Sequence, residues 1–523
     1  MAVAHPFTER DLRQLRGRGI SPEQAADYLA VFAAGVPYAV LDRPCTPGDG
    51  ITVLDEPELE RLSRRGEEAA RGGRCLKFVP ASGAASRMFQ ALLEARDRAG
   101  DAAATVDDLR DAPEYPALRE FMAGLERFAF YPELNAALER QGKSLQPLRR
   151  AGRFREILDC LLDPDAMGYA ALPKGLVPFH RYADDCRTPV AEHLLEACRY
   201  VRDRTGMVRV HFTVSPEHAR AVEEHVAAMC RRYEDRDTSI DVTLSLQRPD
   251  TDTLAATLDN QPFREPDGSL SLRPAGHGAL LANLNDLAAD LVFIQNIDNV
   301  AVFAGTAVRY RKALAGMLVE VQARVFHYLD ALHGDPAASL VDEAARFTRD
   351  ALCVALPDSL KGAPAAERAG FLRSALDRPL RVCGMVPSAG EPGGGPLWVR
   401  GGDGACSLQI VESSQVDMEE PGQRDIFAAS THFNPVDLIC GVRRPSGACY
   451  DLMRFSDPRS AFISVKSSGG RPLKALEHPG LWNGGMARWN TVFVEIPAAT
   501  FAPVKTVLDL LRPRHQPVRT LTR

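Results

Sequence analysis

The spacing of apolar and polar positions along this chain changes several times, and each change predicts an element. Thr8, followed by Glu9 and Asp11, opens one helix, and Ser21-Pro22-Glu23-Gln24 opens another. Serine and threonine can cap, proline suits a first turn, and Gln24 can complete a capping box. Ala25, Tyr28, Leu29 and Phe32 then share one helical face. Pro44 to Gly50 reads as a loop and residues 51–54 as a short extended segment. Between Gln90 and Gly168 apolar residues recur at helical spacing, among them Leu118, Phe121, Leu125 and Phe128, which predicts a helical insertion. Residues 207–214 alternate like a strand before Ser215-Pro216-Glu217 opens a helix. Residues 239–247 and 291–296 read as further strands, and residues 301–370 as mainly helical. Apolar runs at 435–442, 461–465 and 491–496 follow the glycine-rich loops Gly393-Gly394-Gly395 and Gly401-Gly402.

Strands alternating with helical stretches predict an α/β fold, a sheet with helices on both faces. We expect a helical segment over residues 1–65, acting as a lid or buttress. A core follows over 66–380, with the helical insertion at 90–168, and then a region over 381–523 that closes over the same crevice. Hydrophobic residues make up 45% and charged residues 25%, an ordinary globular balance. A formal charge of -6 gives no reason to expect nucleic acid as a partner. The eleven cysteines form neither a CxxC nor a regular secreted framework, so mostly buried thiols in a reducing compartment are expected. The first thirty residues lack the continuous apolar stretch of a signal peptide, and no segment is long and apolar enough to span a bilayer. These readings predict a cytoplasmic protein with no membrane segment.

Phe78 to Met88, FVPASGAASRM, runs an apolar strand into a small-residue turn, and Leu172-Pro173-Lys174-Gly175 follows far along the chain. Such a turn lets backbone N–H groups approach phosphates, with Arg87 and Lys174 adding charge. The alternative is an ordinary tight turn with no ligand. Asp298 stands at a predicted strand exit, where open α/β sheets bind ligands, and Mg²⁺ needs only one or two carboxylates when phosphates complete its shell. Its alternative is a turn cap with Asn299 in a left-handed conformation. In Pro274-Ala275-Gly276-His277-Gly278 the glycines either admit a close ligand or make a tight turn whose histidine meets only neighbouring backbone. Gln247, at another strand end, can pair with a base edge or cap a loop, and Arg248 can meet an anion. Glu412, the Thr431-His432-Phe433-Asn434-Pro435 string and Lys505 supply polar groups among apolar sequence. Trp482, Asn483 and Trp489 lie in an aromatic loop that either walls a pocket or packs against a sheet.

Taken in order, FVPASGAASRMF, LPKG, RPAGHGAL, NIDNV and GLWNGGMARWN resemble strings shared by a bacterial domain-of-unknown-function family, over nearly the whole chain. That family is distantly similar to the UDP-sugar pyrophosphorylases of the nucleotide-diphospho-sugar transferase superfamily. The resemblance implies a glycosyltransferase-A-like, Rossmann-like nucleotidyltransferase core. It implies that Pro80 to Arg87, with Gly83 and Ser86, cradles the nucleotide and that Lys174 binds the triphosphate. Gln247 would approach uracil, Gly276, His277 and Gly278 would border the nucleoside, and Asp298 would hold Mg²⁺. Glu412, Asn434 and Asn483 would face the sugar, and Lys505 would contact phosphate. The implied reaction joins UTP and a sugar 1-phosphate into a nucleotide sugar, releasing pyrophosphate, with Arg87, Lys174 and Lys505 offsetting charge. Ala85 replaces a loop glycine and Ser86 a threonine, and a long helical stretch separates the loop from Lys174. A non-catalytic nucleotide-sugar sensor and a glycosyltransferase are the competing readings.

Overall fold

Thr8 caps helix Glu9–Arg18 reciprocally: its hydroxyl accepts the Asp11 N–H, and the Asp11 carboxylate accepts the Thr8 N–H at 2.8 Å. Ser21 accepts the Gln24 N–H at the start of helix Pro22–Ala34. The capping box expected there stays half-made, because the Gln24 amide donates instead to the Tyr28 hydroxyl at 2.8 Å. A long side chain with a better-placed buried partner one turn away does not fold back onto the cap.

The protein is described as a computed structural model covering residues 6–98, 116–302, 305–390 and 393–517. The chain falls into two compact units. The first comprises Met1–Phe78, Ser245–Ile294 and Tyr310–Ala498; the second comprises Val79–Leu244, Gln295–Arg309 and Ala499–Arg523. The expected core at 66–380 is therefore divided between both, and no division falls at residue 65 or 380.

In the first unit a mixed sheet runs in the order Thr46–Pro47, Gly50–Thr52, Asn490–Glu495, Leu380–Pro387, Asp437–Gly441, Leu291–Gln295, Cys75–Pro80. Leu380 lies parallel to Asn490 and antiparallel to Gly441, while Leu291 lies parallel to Cys75. Nearly every residue of these central strands is buried, which explains their continuous apolar runs: a strand covered on both faces has no solvent side to mark with polar residues. The segment read as a loop from Pro44 contains more pairing than expected. Strand Leu41–Pro44 joins Gly395–Arg400 and Cys406–Val411 in a separate three-stranded sheet. Helices Glu9–Arg18 and Pro22–Ala34 bury Leu15, Ala25, Tyr28 and Phe32 with Leu254, Ala256 and Leu476 of the same unit.

In the second unit, strands Met207–Val214 and Ser239–Leu246 are neighbours in a sheet, and helix Ala219–Tyr233 connects them. Helices Gln90–Arg98, Pro116–Gly124, Tyr131–Arg140, Leu145–Arg150 and Phe154–Leu162 lie within the stretch 90–168 expected to be helical, of which 99–115 falls outside the described residues. Their core stacks Phe121, Phe128 and Phe130, with successive centroids 4.9 Å apart, and includes Val504, Val507, Leu510 and Leu511 from the far end of the chain. Each such aliphatic side chain contributes about 1.5–3 kcal/mol when fully buried, which fastens residues 499–516 as a strap on these helices. All eleven cysteines are free thiols; five are buried, while Cys186 and Cys449 are exposed. Among the described residues no helix is long and apolar enough to cross a membrane.

Candidate functional site

In the second unit, the small-residue turn and the distant lysine segment meet through the backbone. The Lys174 N–H donates to the Gly83 carbonyl at 3.0 Å and the Ala85 N–H donates to the Leu172 carbonyl at 2.9 Å. Ala84 and Pro173 form an isolated bridge between them. Two stretches separated by the whole helical insertion thus act as one rigid loop pair. Gly175 is closely packed, since a Cβ there would stand 3.2 Å from the Val190 side chain and 3.3 Å from that of Ile297. Gly83 is different: nothing lies within 4 Å of where its Cβ would be. Open space beside a glycine at a strand exit leaves its backbone approachable. Ser86 and Arg87 are exposed on the same turn.

Lys174 points inward. Its Nζ donates to Asp298 Oδ2 and to the Val504 carbonyl, both at 2.9 Å, and Lys505 Nζ stands 3.7 Å from the same Asp298 oxygen. The Lys174 and Asp298 side chains are 14% and 10% exposed, so this is a largely dehydrated pair, whereas Lys505 is 58% exposed. Asp298 is held by its neighbours' backbone. The Ile297 carbonyl meets His193 Nε2 at 3.2 Å, the Asp298 carbonyl accepts the Val504 N–H at 3.2 Å, and Asn299 Oδ1 accepts the Ala502 N–H at 2.9 Å. Asn299 is not in the left-handed conformation considered for it, because its side chain is spent on tying down the strap.

Two lysines against one carboxylate leave this cluster with one net positive charge, which suits an anion. The donor set does not suit a bare divalent cation. Asp298 Oδ2 already faces two ammonium groups, and no group of three His, Cys, Asp or Glu able to hold a metal occurs among the described residues. It does fit Mg²⁺ arriving with phosphate, which would draw the lysines to phosphate oxygens and leave the Asp298 carboxylate for the metal.

In the first unit a second polar cluster forms around His277. Its ring stacks on Trp482, with centroids 4.2 Å apart at 14°, and its Nδ1 accepts the Leu481 N–H at 3.0 Å. That bond puts the neutral ring's proton on Nε2, which lies 4.0 Å from Glu412 Oε1. Asn483 Nδ2 donates to the same carboxylate oxygen at 3.2 Å, and its Oδ1 is buried without a hydrogen bond. Burial pushes the Glu412 carboxyl up, against the Asn483 bond. The glycines flanking His277 answer to the chain: a Cβ on Gly276 would stand 2.4 Å from Glu477 Oε2, and one on Gly278 2.3 Å from the Pro479 carbonyl. The backbone at 478–479 passes against Gly278, with His478 N–H donating to the Ala275 carbonyl at 3.0 Å, while Gly276 sits at φ 72° beside the Glu477 side chain. His277 therefore meets backbone and an aromatic ring some 200 residues away in sequence, and not only its neighbours.

Gln247 follows strand Ser239–Leu246, whose end is fixed by Asn283, and its Nε2 is buried without a hydrogen bond. Arg248, considered for an anion, is taken by Asp250 and Asp286. Asn434 Oδ1 accepts the Val436 N–H at 3.1 Å, which props a β-branched residue at φ 59°. Trp489 is buried in the sheet core, as its following strand predicts. A groove of about 2390 Å³ in the same unit is lined by Tyr38, Trp398, Gln409 and Arg488 among others, and His277, Glu412 and Asn483 are not among its walls. The six residues Gly83, Ser86, Arg87, Lys174, Asp298 and Lys505 thus belong to the second unit, and Gln247, Gly276, His277, Gly278, Glu412, Asn434 and Asn483 to the first. Sequence reasoning missed His193, the Val504 carbonyl and the stacking role of Trp482. None carries a local signature, although the density of glycine and tryptophan at 480–489 marks a loop held tightly against something.

Burial pushes the His277 pKa down to about 4, with Glu477 opposing. An unfolded histidine titrates at about 6.5, so the unfolded chain binds a proton that folded His277 refuses. Its contribution to stability is complete above pH 6.5 and is lost as pH falls to about 4. NMR titration of labelled histidine, assigned with His277→Asn, should give a midpoint near 4; a midpoint near the ordinary histidine value would put the ring in solvent.

Residues 8–516 match a family described as "Domain of unknown function (DUF4301)". No curated protein sequence matches the chain. The uridine diphosphate N-acetylglucosamine pyrophosphorylase from Trypanosoma brucei, solved in complex with an inhibitor, is similar in structure, with a TM-score of 0.50 and 11% identity over 97% of this chain and 79% of that one. The UDP-glucose pyrophosphorylase from Leishmania major gives a TM-score of 0.43 at 11% identity, over 96% of this chain and 78% of that one. The first likeness establishes the fold: a mixed-sheet α/β architecture resembling a Rossmann-like nucleotidyltransferase core.

Proposed function

The chain belongs to the DUF4301 family, and from that premise we propose that it is a nucleotidyltransferase acting on a nucleoside triphosphate, UTP in the first instance, and a sugar 1-phosphate. The observation that carries this reading is the Lys174–Asp298–Lys505 cluster beside the Gly83 turn: a largely dehydrated lysine–aspartate pair, made net positive by exposed Lys505, next to approachable backbone. The shared fold with a pyrophosphorylase supports it.

In the proposed reaction a sugar 1-phosphate oxygen attacks the α-phosphorus and pyrophosphate leaves. Arg87, Lys174 and Lys505 bind phosphate oxygens and balance charge that develops during transfer, so the protein supplies position and preorganised charge and no nucleophile. Bound Mg²⁺ would supply Lewis-acid stabilisation of phosphate oxygens, held by Asp298. The first unit's cluster of neutral His277, Glu412 and Asn483 offers the paired donors and acceptors that hydroxyl groups need. The Asp298 carboxylate is already neutralised by Lys174, which favours a second reading, a nucleotide-sugar-binding protein without turnover.

A Mg²⁺-dependent pyrophosphate-release screen across nucleoside triphosphates and sugar 1-phosphates, with mass detection of product, separates the two. We expect sugar-dependent release and a product of matching mass. Ligand binding with no product would leave the binding-protein reading and sink the catalytic one.

A further inference from the structure

We propose that Glu192, His180 and His515 form a buried latch that positions the strap 499–516, and through it Lys505 and the Val504 carbonyl, against Asp298. The inference rests on the reading of the lysine cluster as a phosphate site.

His180 is fully buried between two partners: Nδ1 lies 2.9 Å from Glu192 Oε1, and Nε2 lies 2.9 Å from His515 Nδ1. The two rings stack at 5.2 Å and 27°. A carboxylate only accepts, so His180 donates from Nδ1, and with His180 neutral its Nε2 accepts and His515 donates from Nδ1. The chain of bonds therefore has one direction, from the strap through His180 to Glu192. Glu192 is anchored in turn by the Tyr182 hydroxyl at 2.7 Å and by Arg187 at 3.8 Å.

Glu192 sits in the first turn of helix Pro189–Tyr200, which Thr188 caps by accepting the Ala191 N–H at 3.2 Å. The next residue, His193, holds the Ile297 carbonyl beside Asp298. Two consecutive residues of one capped helix thus fix both the strap and the Asp298 loop. Between these anchors the strap is registered by Val302 N–H to the Arg514 carbonyl at 3.1 Å and by Val507 N–H to the Met88 carbonyl at 3.0 Å. Lys174 in turn donates to the Val504 carbonyl at 2.9 Å, so both lysines depend on where the strap lies.

Packing alone could hold the strap, since Val507, Leu510 and Leu511 are already in the core. Burying a carboxylate and two imidazoles where apolar side chains would be as stable is a poor way to add stability. What a directional polar chain adds is a single register.

The test measures binding of inorganic tripolyphosphate to the full chain by calorimetry, with His515→Ala, His515→Asn and Lys505→Met. Asparagine keeps a donor at the position of Nδ1. We expect H515A to weaken binding about tenfold, H515N to recover most of it, and the H515A/K505M pair to lose less than the product of the single losses, since both act on one group. H515A without effect while K505M weakens binding would overturn the latch and leave the phosphate site standing. So would losses that multiply fully and are not rescued by asparagine. Tripolyphosphate that fails to bind the unaltered protein would instead sink the phosphate reading. Trypsin then decides the latch: cleavage after Lys505 or Arg514 that is faster in H515A and restored in H515N supports it, and equal rates overturn it. Should H515A fail to fold, His515→Phe keeps the stacked ring without the donor and reads the same outcomes.

Discussion

Lys174→Met is expected to destabilise the protein by about 3–5 kcal/mol and to abolish triphosphate binding. Lys174 Nζ is the closest cation to Asp298, whose side chain is only 10% exposed. Removing it strands a buried carboxylate, since Lys505 is 3.7 Å away and largely in solvent. It also removes one of the two charges that make the cluster positive. Combining Lys174→Met with Asp298→Asn should recover most of the stability and only part of the affinity, because the stranded charge is gone and the net charge returns to +1 while the Lys174 anchor is still missing. Urea denaturation and calorimetry with UTP read the two effects separately. Unchanged stability in the single variant would mean that water screens the pair, and unchanged affinity would move Lys174 out of the site.

Asp298→Asn is expected to do the opposite to binding and more to turnover. Without the carboxylate the cluster carries two positive charges instead of one, so UTP in the absence of Mg²⁺ should bind more tightly than to the unaltered protein. The Mg²⁺-dependent rate should fall by about 100-fold or more, the scale of the several kcal/mol that a metal Lewis acid supplies. Tighter metal-free binding with lost turnover is a pair of effects that general damage to the fold would not produce, since damage weakens both. An unchanged rate would end the metal role of Asp298, and weaker metal-free binding would mean that the lysines depend on Asp298 for their placement.

The same two residues mark the limit of what spacing reveals. NIDNV following an apolar run places Asp298 at a strand exit by periodicity alone, and the strand Leu291–Gln295 ends one residue before the expected 296. LPKG marks Lys174 only by its proline and glycine. Nothing local to either string says that the ammonium lies 2.9 Å from the carboxylate, 124 residues on. The glycines around His277 are a sharper case. Their pattern is equally a ligand-binding turn and a close chain crossing, and only the fold brings the backbone at 478–479 against Gly278. Gln24 differs from its expected cap because the Tyr28 hydroxyl, one turn on in the same helix, takes its amide.

What the sequence by itself determined is therefore what depends on neighbours a few residues apart. Capping at Thr8 and Ser21, the helical period across 116–162 and the buried strands at 291–295, 437–441 and 490–495 follow from backbone hydrogen bonding and the period of apolar positions. Only the tertiary structure decided the lysine–aspartate cluster, the His277–Trp482 stack and the Glu192–His180–His515 chain. Each joins residues whose meeting depends on how whole elements pack, and apolar packing constrains which faces are buried without recording, at any single position, which distant polar group will arrive there.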